Sequence, residues 1–399
     1  MIKHSTIVPL IGGETIGSQR AFGSRPDYLM SYSPFQNNDQ HIVNYYDKEV
    51  PYFLIDKGEK PSYNVDVVSS VCPCAGLSML SHGYGDHNEN NKWMIETTQY
   101  VLGEMKPEVL WGENAPGFAG KIGKNIREQL FKIGRDNGYS MTVYRTRSLL
   151  HGVPQVRERS FYFFWKGDKT PVLNWYNRKH LSIEDTIRSV KNVNSLQIPI
   201  NKKTPSEDPY YKFILQEIHS GMTHAEFAAQ VPASNARGND SFSYIEKKGY
   251  DYKQVGKWMA ENGFEKEVAK CDYRYDKLAA GGSIMRRGVI VPKDYIGAFV
   301  GHYPTMLTHP DEDRFITVRE ALTIMGMPED FDMVNPVKNA NHICQNVPVQ
   351  TATDMATEVR EYLAGNRSMI DSTLTFQYNG TQTIEAQEQD ATNLESFFA

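Results

Sequence analysis

The chain has 399 residues, room for two or three domains at the usual ~150 residues each and for a sizeable buried core. Hydrophobic residues make up 40% and aromatic residues 12%, as in an ordinary globular protein, and no run of ~18 apolar residues offers a transmembrane helix. The net charge of −5 excludes a protein that coats nucleic acid indiscriminately, yet leaves room for a local basic cleft.

The amino terminus has no charged segment leading into an apolar run, so no signal peptide is expected. The four cysteines, Cys72, Cys74, Cys271 and Cys344, are too few and too scattered for a disulfide framework or a second metal pair. That usage points to a reducing, cytoplasmic compartment and to no resident metal.

In chain order, residues 5–11 read as a short apolar strand, followed by Gly12-Gly13-Glu14-Thr15-Ile16-Gly17 and a helix to about Phe22. A strand, a glycine-rich turn and a helix open a nucleotide-binding α/β unit, in which backbone N–H groups and the helix amino end face the ligand. Further strands are predicted over 28–32, 51–56 and 66–71. The last is β-branched and is broken by Cys72-Pro73-Cys74-Ala75-Gly76-Leu77-Ser78, which sets a thiol in a turn at the carboxyl end of a strand. Such a thiol is a candidate nucleophile. A buried structural cysteine and a Cys-Pro-Cys metal corner are the alternatives at this point.

A helix over 91–105 and a strand over 108–112 lead to Glu113-Asn114-Ala115-Pro116-Gly117, then a helix over 121–137. Strands over 141–147 and 160–165 bracket His151-Gly152-Val153-Pro154-Gln155-Val156-Arg157-Glu158-Arg159. Basic residues from Lys121 to Arg159 outnumber the acids Glu128, Asp136 and Glu158, either as a solvated helix face with a basic loop or as a nucleic-acid cleft. Periodicity weakens from about 170 to 280, which reads as an inserted second domain, and resumes near Gly281. Thr317-Val318-Arg319-Glu320 carries a threonine cap with an acid three positions on. A last helix is expected over 351–363, and the polar composition beyond Gly365 predicts a mobile tail.

Several separated segments now combine. Pro73-Cys74-x-Gly76-x-Ser78, Glu113-Asn114, Gln155-x-Arg157-x-Arg159, and Arg319-Glu320-Ala321-Leu322 followed by Gln345-Asn346-Val347-Pro348 resemble, in order and spacing, the motifs of the cytosine-C5 DNA methyltransferases. The resemblance spans residues 5–365. It implies an α/β fold, a doubly wound Rossmann-like sheet with a smaller inserted target-recognition domain. Residues 1–168 would be the first part of the catalytic and cofactor domain and 169–280 the target-recognition domain. Residues 281–365 would complete the catalytic domain, and 366–399 would form the tail.

The activity implied is methyl transfer from S-adenosylmethionine to C5 of a flipped-out cytosine in double-stranded DNA, through a covalent bond between Cys74 and C6. The chemistry explains the residue types. C5 of cytosine is a poor nucleophile, and attack by a thiolate at C6 turns the C5–C6 unit into an enamine. A carboxyl in a dry pocket, Glu113, would relieve the charge that builds at N3. Arg159, and with it Arg157, would hold O2 and the adjacent phosphate, while Asn114 orients the pocket. Ser78, Ser81, Gln155, Arg286 and Arg287 are expected to touch the substrate, and residues 81–88 to close over DNA.

The cofactor turn departs from the family pattern. Where the family has Asp-Leu-Phe-Ala-Gly-x-Gly-Gly, this chain has Thr6-Ile7-Val8-Pro9-Leu10-Ile11-Gly12-Gly13, and Tyr32-Ser33-Pro34 stands where a ribose-binding acid is usual. The expected donor contacts are Leu10, Ile11, Gly12, Gly13, Gly17, Asp56, Pro73 and Asn346. The departure leaves open a modified one-carbon donor; action on RNA and a decayed DNA-binding relative are further alternatives. Target contacts are expected from Arg237, Lys247, Lys248, Lys253 and Arg274, with Tyr244 and Tyr252 as stacking groups.

The terminal Leu394-Glu395-Ser396-Phe397-Phe398 is similar to peptides that dock on replication sliding clamps, with Ala391 in place of the leading Gln; folding back onto the domain is the alternative. A monomer is expected, acting at the nucleoid of a bacterial or virus-infected cell as the modification partner in restriction-modification.

Overall fold

The computed structural model describes residues 1–386 apart from 48, 79–82, 84, 86, 191–195, 231–239, 287, 302 and 381–382. The first half alternates strand and helix. Strands β1 (His4–Ile7), β2 (Tyr28–Ser31), β3 (Tyr52–Leu54), β4 (Val67–Ser70) and β5 (Val109–Asn114) all run parallel. Helices α1 (Gly13–Phe22), α2 (Gln36–Tyr45) and α3 (Lys92–Tyr100) lie between them, and α4 (Lys124–Asp136) leads to β6 (Tyr139–Arg147) and β7 (Glu158–Lys166). Strand β7 inserts antiparallel between β5 and β6, and its run Phe161 to Trp165 is buried on both faces. A strand covered on both sides can be continuously apolar, as this one is.

Among the described residues, the stretch from 169 to 280 carries mostly short helices joined by irregular segments. It comprises a short strand β8 (Thr170–Pro171) and helices α5 (Ile183–Arg188), α6 (Pro209–Phe213), α7 (His224–Gln230), α8 (Ser241–Lys247), α9 (Tyr252–Glu261) and α10 (Glu265–Ala279). Most are too short to print a 3.6-residue period, and their cores are built from aromatics. Ser182, Asp208, Asp240 and Asp251 cap four of them with side-chain oxygens. Tyr210, Tyr211, Phe213, Phe242, Tyr252 and Trp258 anchor a cluster of their own, which Val289, Val291 and Phe315 close.

The chain then returns through α11 (Val318–Ile324), α12 (Ala340–Gln345) and α13 (Val349–Leu363). The predicted cap of α11 is present: Thr317 Oγ1 accepts from Glu320 N–H at 3.2 Å while Glu320 Oε2 accepts from Thr317 N–H at 2.8 Å. Helix α13 packs along α1 at Gly17, where an added Cβ would lie 2.5 Å from Ala352 Cβ.

Residues 366–386 correct the expectation of a mobile tail. They supply β9 (Met369–Ile370), which pairs with β8, and β10 (Leu374–Tyr378) and β11 (Thr383–Ala386), which extend the main sheet beyond β6. Their polar side chains are satisfied inside the fold. Thr375 Oγ1 meets Thr142 Oγ1 at 3.1 Å, and Gln377 accepts from Leu173 N–H and donates to the Pro171 carbonyl, both at 2.9 Å. Leu394, Phe397 and Phe398, with Ala391, lie outside the described residues.

The complete sheet has the order β11-β10-β6-β7-β5-β4-β1-β2-β3. Strand order reverses between β1 and β4, and open α/β sheets bind their ligands at the carboxyl ends of the strands beside such a switch. Among the described residues no helix is long and apolar enough to cross a membrane.

The α1–α13 contact can be tested by thermal unfolding. Gly17→Ala should cost about 1–3 kcal/mol through overpacking. Gly103→Ala, whose nearest atom would be 3.8 Å away, should leave the midpoint unchanged or raise it. Equal midpoints for the two variants would contradict the packing.

Candidate active site

Strand β4 ends at Ser70, and Pro73, which has no N–H to give the ladder, turns the chain into a short 3₁₀ turn over Ala75–Leu77. The two cysteines of the turn separate. Cys72 is buried, with Sγ 3.1 Å from Ser70 Oγ and 3.6 Å from both the Trp93 carbonyl and Thr97 Oγ1, and burial pushes its thiol up to about 11. Cys74 is half-buried, whereas Cys271 and Cys344 are buried. Burial raises the Cys74 thiol above its ordinary range and Glu113 adds to this, while Arg159 and Arg157 oppose it. The turn is held by Leu77 N–H donating to the Cys74 carbonyl at 3.1 Å and Gly85 N–H donating to the Gly76 carbonyl at 2.7 Å. Asn91 Nδ2 donates to the Gly85 carbonyl at 2.9 Å from the start of α3.

Glu113 and Asn114 are the last residues of β5, one step further along the sheet. Register decides what Glu113 meets. It lies opposite Phe161 of β7, and Arg159 is two residues before Phe161 on the same face, so the two long side chains are diagonal neighbours, ~7–8 Å apart at Cα and within reach. They form an ion pair from Arg159 Nε to Glu113 Oε1, nearly shut off from solvent. Arg159 Nη1 also donates to the Glu158 carbonyl at 2.7 Å. Asn114 Oδ1 accepts from Ala115 N–H at 2.8 Å, fixing the exit from β5, and its Nδ2 has no partner among the described residues.

Arg157 and Gln155 depart from expectation. Arg157 is 1% exposed and donates from Nη1 to the carbonyls of Phe299 and Cys344, both at 3.0 Å. Gln155, also buried, accepts from Phe299 N–H at 3.2 Å and points Nε2 at Met325 Sδ at 3.2 Å. In place of contacts with O2, phosphate or DNA, both tie the returning chain to the loop that carries Arg159. Their alternation with Arg159 is visible in the sequence, but which way each side chain turns is not.

The expected target contacts divide similarly. Arg274 is enclosed by the rings of Tyr210, Phe242 and Tyr252 at 4.8, 4.7 and 6.0 Å, so it is a packing cation of the helical unit. Tyr252 is buried, and Tyr244 OH meets His219 Nε2 at 2.8 Å. Lys253 pairs with Asp272 at 2.8 Å and Arg286 with Glu246 at 2.7 Å. Lys247 and Lys248 are exposed on α8, and Ser78 is half-buried beside the nucleophile turn. Ser81, Arg237 and Arg287 lie outside the described residues, as do residues 82, 84 and 86 of the 81–88 loop.

The turn after β1 is unusual. Val8 and Leu10 both adopt left-handed backbone, at φ 55 and 52, where side chains other than glycine cost of order 1–3 kcal/mol. Three bonds hold it: Val8 N–H to the Met30 carbonyl, Leu10 N–H to Asp39 Oδ1, and Gly12 N–H to the Pro9 carbonyl, each 2.9 Å. Asp39, on α2, is buried, and burial pushes its carboxyl up to about 7 although Tyr52 OH also donates to it at 2.8 Å. The sequence reading missed Asp39, because α2 is a polar helix with no motif. Gly13 is required by close approach: a Cβ there would lie 2.0 Å from the Val347 carbonyl oxygen, and its N–H donates to Asn346 Oδ1 at 2.8 Å. Asn346 therefore braces the turn itself. Ile11 is buried in an apolar cluster with Ile42 and Leu322, and Gly17 faces α13, so both support the turn from behind where direct donor contact was expected. Asp56 is exposed at the end of β3 and accepts from Ser33 N–H at 2.9 Å; Pro73 is half-buried next to Cys74.

A nucleotide-bearing cationic donor fits this arrangement. The ten-residue helix α1 opens at Gly13, and a fully buried carboxyl, Glu14, stands unpartnered in its first turn. The usual ribose acid is absent; Tyr32, which occupies its place, spends its hydroxyl on Thr97 at 3.1 Å. Among the described residues no group of three or more His, Cys, Asp or Glu could hold a metal ion.

The family described as C-5 cytosine-specific DNA methylase matches the chain over residues 11–361. No curated protein matches. Among solved structures, a protein described as a DNA modification methyltransferase encoded within an E. coli prophage aligns over 91% of this chain and 100% of its own, at 15% identity and TM-score 0.56. The Entamoeba histolytica methyltransferase EhMeth aligns over 91% and 99%, at 12% identity and TM-score 0.53. A DNMT2 mutant from Spodoptera frugiperda aligns over 90% and 100%, at 11% identity and TM-score 0.50. At these identities the structural likeness shows the fold, a mixed α/β methyltransferase sheet.

Thiol alkylation followed by peptide mass spectrometry reads the electrostatics directly. Arg159→Ala should move the alkylation profile of Cys74 to higher pH, slowing the reaction about tenfold for each unit of upward shift. Glu113→Gln should move it to lower pH, and Cys72 should stay unlabelled in the folded protein. Faster labelling of Cys72 than of Cys74 would contradict the assignment.

Proposed function

The chain belongs to the C-5 cytosine-specific DNA methylase family, and from that premise we propose that it transfers a methyl group from S-adenosylmethionine to C5 of a cytosine flipped out of double-stranded DNA. The observation that carries this reading is the meeting of Cys74, Glu113 and Arg159 at the end of β4, the end of β5 and the start of β7.

The Cys74 thiolate attacks C6 of the base, and the displaced electron pair moves into the ring toward C5, N3 and O2. As the base enters, Glu113 takes up a proton from solvent, hydrogen-bonds N3 with it and passes it there, so the negative charge never develops fully. Arg159, held by the same carboxylate, offers its remaining N–H donors to O2. The bound donor supplies an electrophilic methyl carbon to C5. A solvent water then takes the C5 proton, the N3 proton returns to Glu113, and the released electron pair expels the Cys74 thiolate and restores the aromatic ring. Covalent activation divides one difficult step into two easier ones. The base must leave the stack for any of this, because C6 is shielded within a duplex.

The family description favours DNA as the substrate. The prophage protein among the structural neighbours is described as a DNA modification methyltransferase, and for this chain we infer the modification role in restriction-modification.

The test is to incubate the protein with S-adenosylmethionine and either duplex DNA or RNA, digest to nucleosides, and weigh the cytosine products. 5-Methylcytosine should appear from DNA. Cys74→Ser should abolish it, Cys72→Ser should preserve it, and Glu113→Gln should slow it by roughly 10²–10⁴-fold. Methylation of RNA alone, or a different mass on cytosine, would overturn the substrate or the donor respectively.

A further inference from the structure

Glu14 follows the glycine turn directly and has no solvent exposure, and neither of its carboxyl oxygens has a hydrogen-bond partner among the described residues. Its surroundings come from four elements. Glu113 faces it from β5, the Ser69 hydroxyl and Ser70 N–H from β4, the Cys72 thiol from the turn beyond, and the Tyr162 hydroxyl from β7. The two serine donors oppose the rise without offsetting it. No cation is among these groups, and the one neighbouring charge, Glu113, has the same sign. Burial first, and Glu113 second, therefore hold the Glu14 carboxyl well above the ordinary range, as a neutral acid. An isolated buried carboxyl is costly to a fold unless something arrives to pair with it.

The place where Glu14 stands identifies that partner. The acceptor carbon is fixed over Cys74, beyond the end of β4. A donor held by the turn over residues 8–13 must carry its reactive methyl from that turn, across the end of β4, toward Cys74. Glu14 stands in the first turn of α1, directly after that turn, with Ser69 and Ser70 of β4 and Glu113 of β5 among its neighbours. The atom bearing the methyl is a sulfonium, a permanent cation, before transfer and a neutral thioether sulfur afterwards.

We propose that Glu14 is a charge sensor for the methyl donor, a specificity-determining residue whose carboxyl ionises to pair with the sulfonium and regains its proton when only the thioether product remains. This rests on the donor assigned under Proposed function. The balance is simple: the neutral acid and the sulfonium give a carboxylate–sulfonium pair and one proton released to solvent, and transfer of the methyl reverses the ionisation. The device favours donor over spent product.

The sign of the pH dependence follows. The sulfonium lowers the carboxyl's pKa. Between that lowered value and the raised value of the free protein, affinity for the sulfonium rises with pH, by up to about tenfold per unit. Affinity for the thioether has no such component. The ammonium, carboxylate and adenosine groups are common to both ligands and cancel in the ratio of affinities.

Calorimetric titration of the full chain with S-adenosylmethionine and with S-adenosylhomocysteine, each in two buffers of different ionisation enthalpy, measures the protons released. The wild-type protein should release up to about one proton more with the sulfonium, and the ratio of affinities should climb with pH. In Glu14→Gln the extra release should vanish and the ratio should become independent of pH. Equal proton release by the two ligands in the wild-type protein overturns the sensor, whether or not the variant folds. Binding of neither ligand would instead overturn the donor, and the sensor with it.

Discussion

The ion pair between Arg159 and Glu113 is the contact on which the rest of the site depends. It exists because β7 runs antiparallel between β5 and β6 in one particular register, with Phe161 opposite Glu113. A slip of one residue would send Arg159 to the other face of the sheet. Two charges nearly shut off from solvent are expensive to bury, and removing one partner from such a pair typically costs ~3–5 kcal/mol because the other is stranded. The pair therefore sets Glu113 and Arg159 beside Cys74 before any base arrives, and that preorganisation is what electrostatic catalysis requires.

The protein surrounds this pair with bonds that span the length of the chain. Arg157 and Gln155 reach from the loop before β7 to Phe299, Cys344 and Met325. Asn346 braces Gly13, and Asp39 holds Leu10 in a left-handed backbone that glycine would adopt freely. The returning segment thus completes the first half of the sheet: without it, the turn after β1 would lose its Asn346 brace and the arginine loop its anchors. The altered glycine turn is a strained turn with its own supports, and Leu10 is tolerated because Asp39 offsets the strain.

The strand-turn placements of Cys74 and Glu113 could be read in the sequence because they depend on local rules: a β-branched run, a proline that ends it, an acid at a strand end. The α1 and α11 starts were visible for the same reason, glycine in one case and a capping box in the other. What could not be read was the direction of polar side chains. Arg157 and Arg159 share a motif, but one turns inward to backbone carbonyls and the other toward Glu113. Thr375 and Gln377 belong to a stretch whose composition suggests solvent, yet their hydrogen bonds close within the sheet. Helix α2 escaped because it buries Asn38, Asp39 and His41 in place of an apolar stripe. The helices between residues 182 and 280 escaped because their rings, not their spacing, make the core.

The central claim is that Cys74 forms a bond to C6 of the target base. Duplex DNA in which cytosine is replaced by 5-fluorocytosine tests it most directly, because the ring carbon that must lose a proton after methyl transfer carries fluorine, and the adduct persists. Digestion and mass spectrometry after denaturation should find the nucleotide on the peptide at Cys74. Attachment at Cys72, or methylated cytosine accumulating from ordinary DNA with no adduct trapped from the fluorinated duplex, would contradict the account.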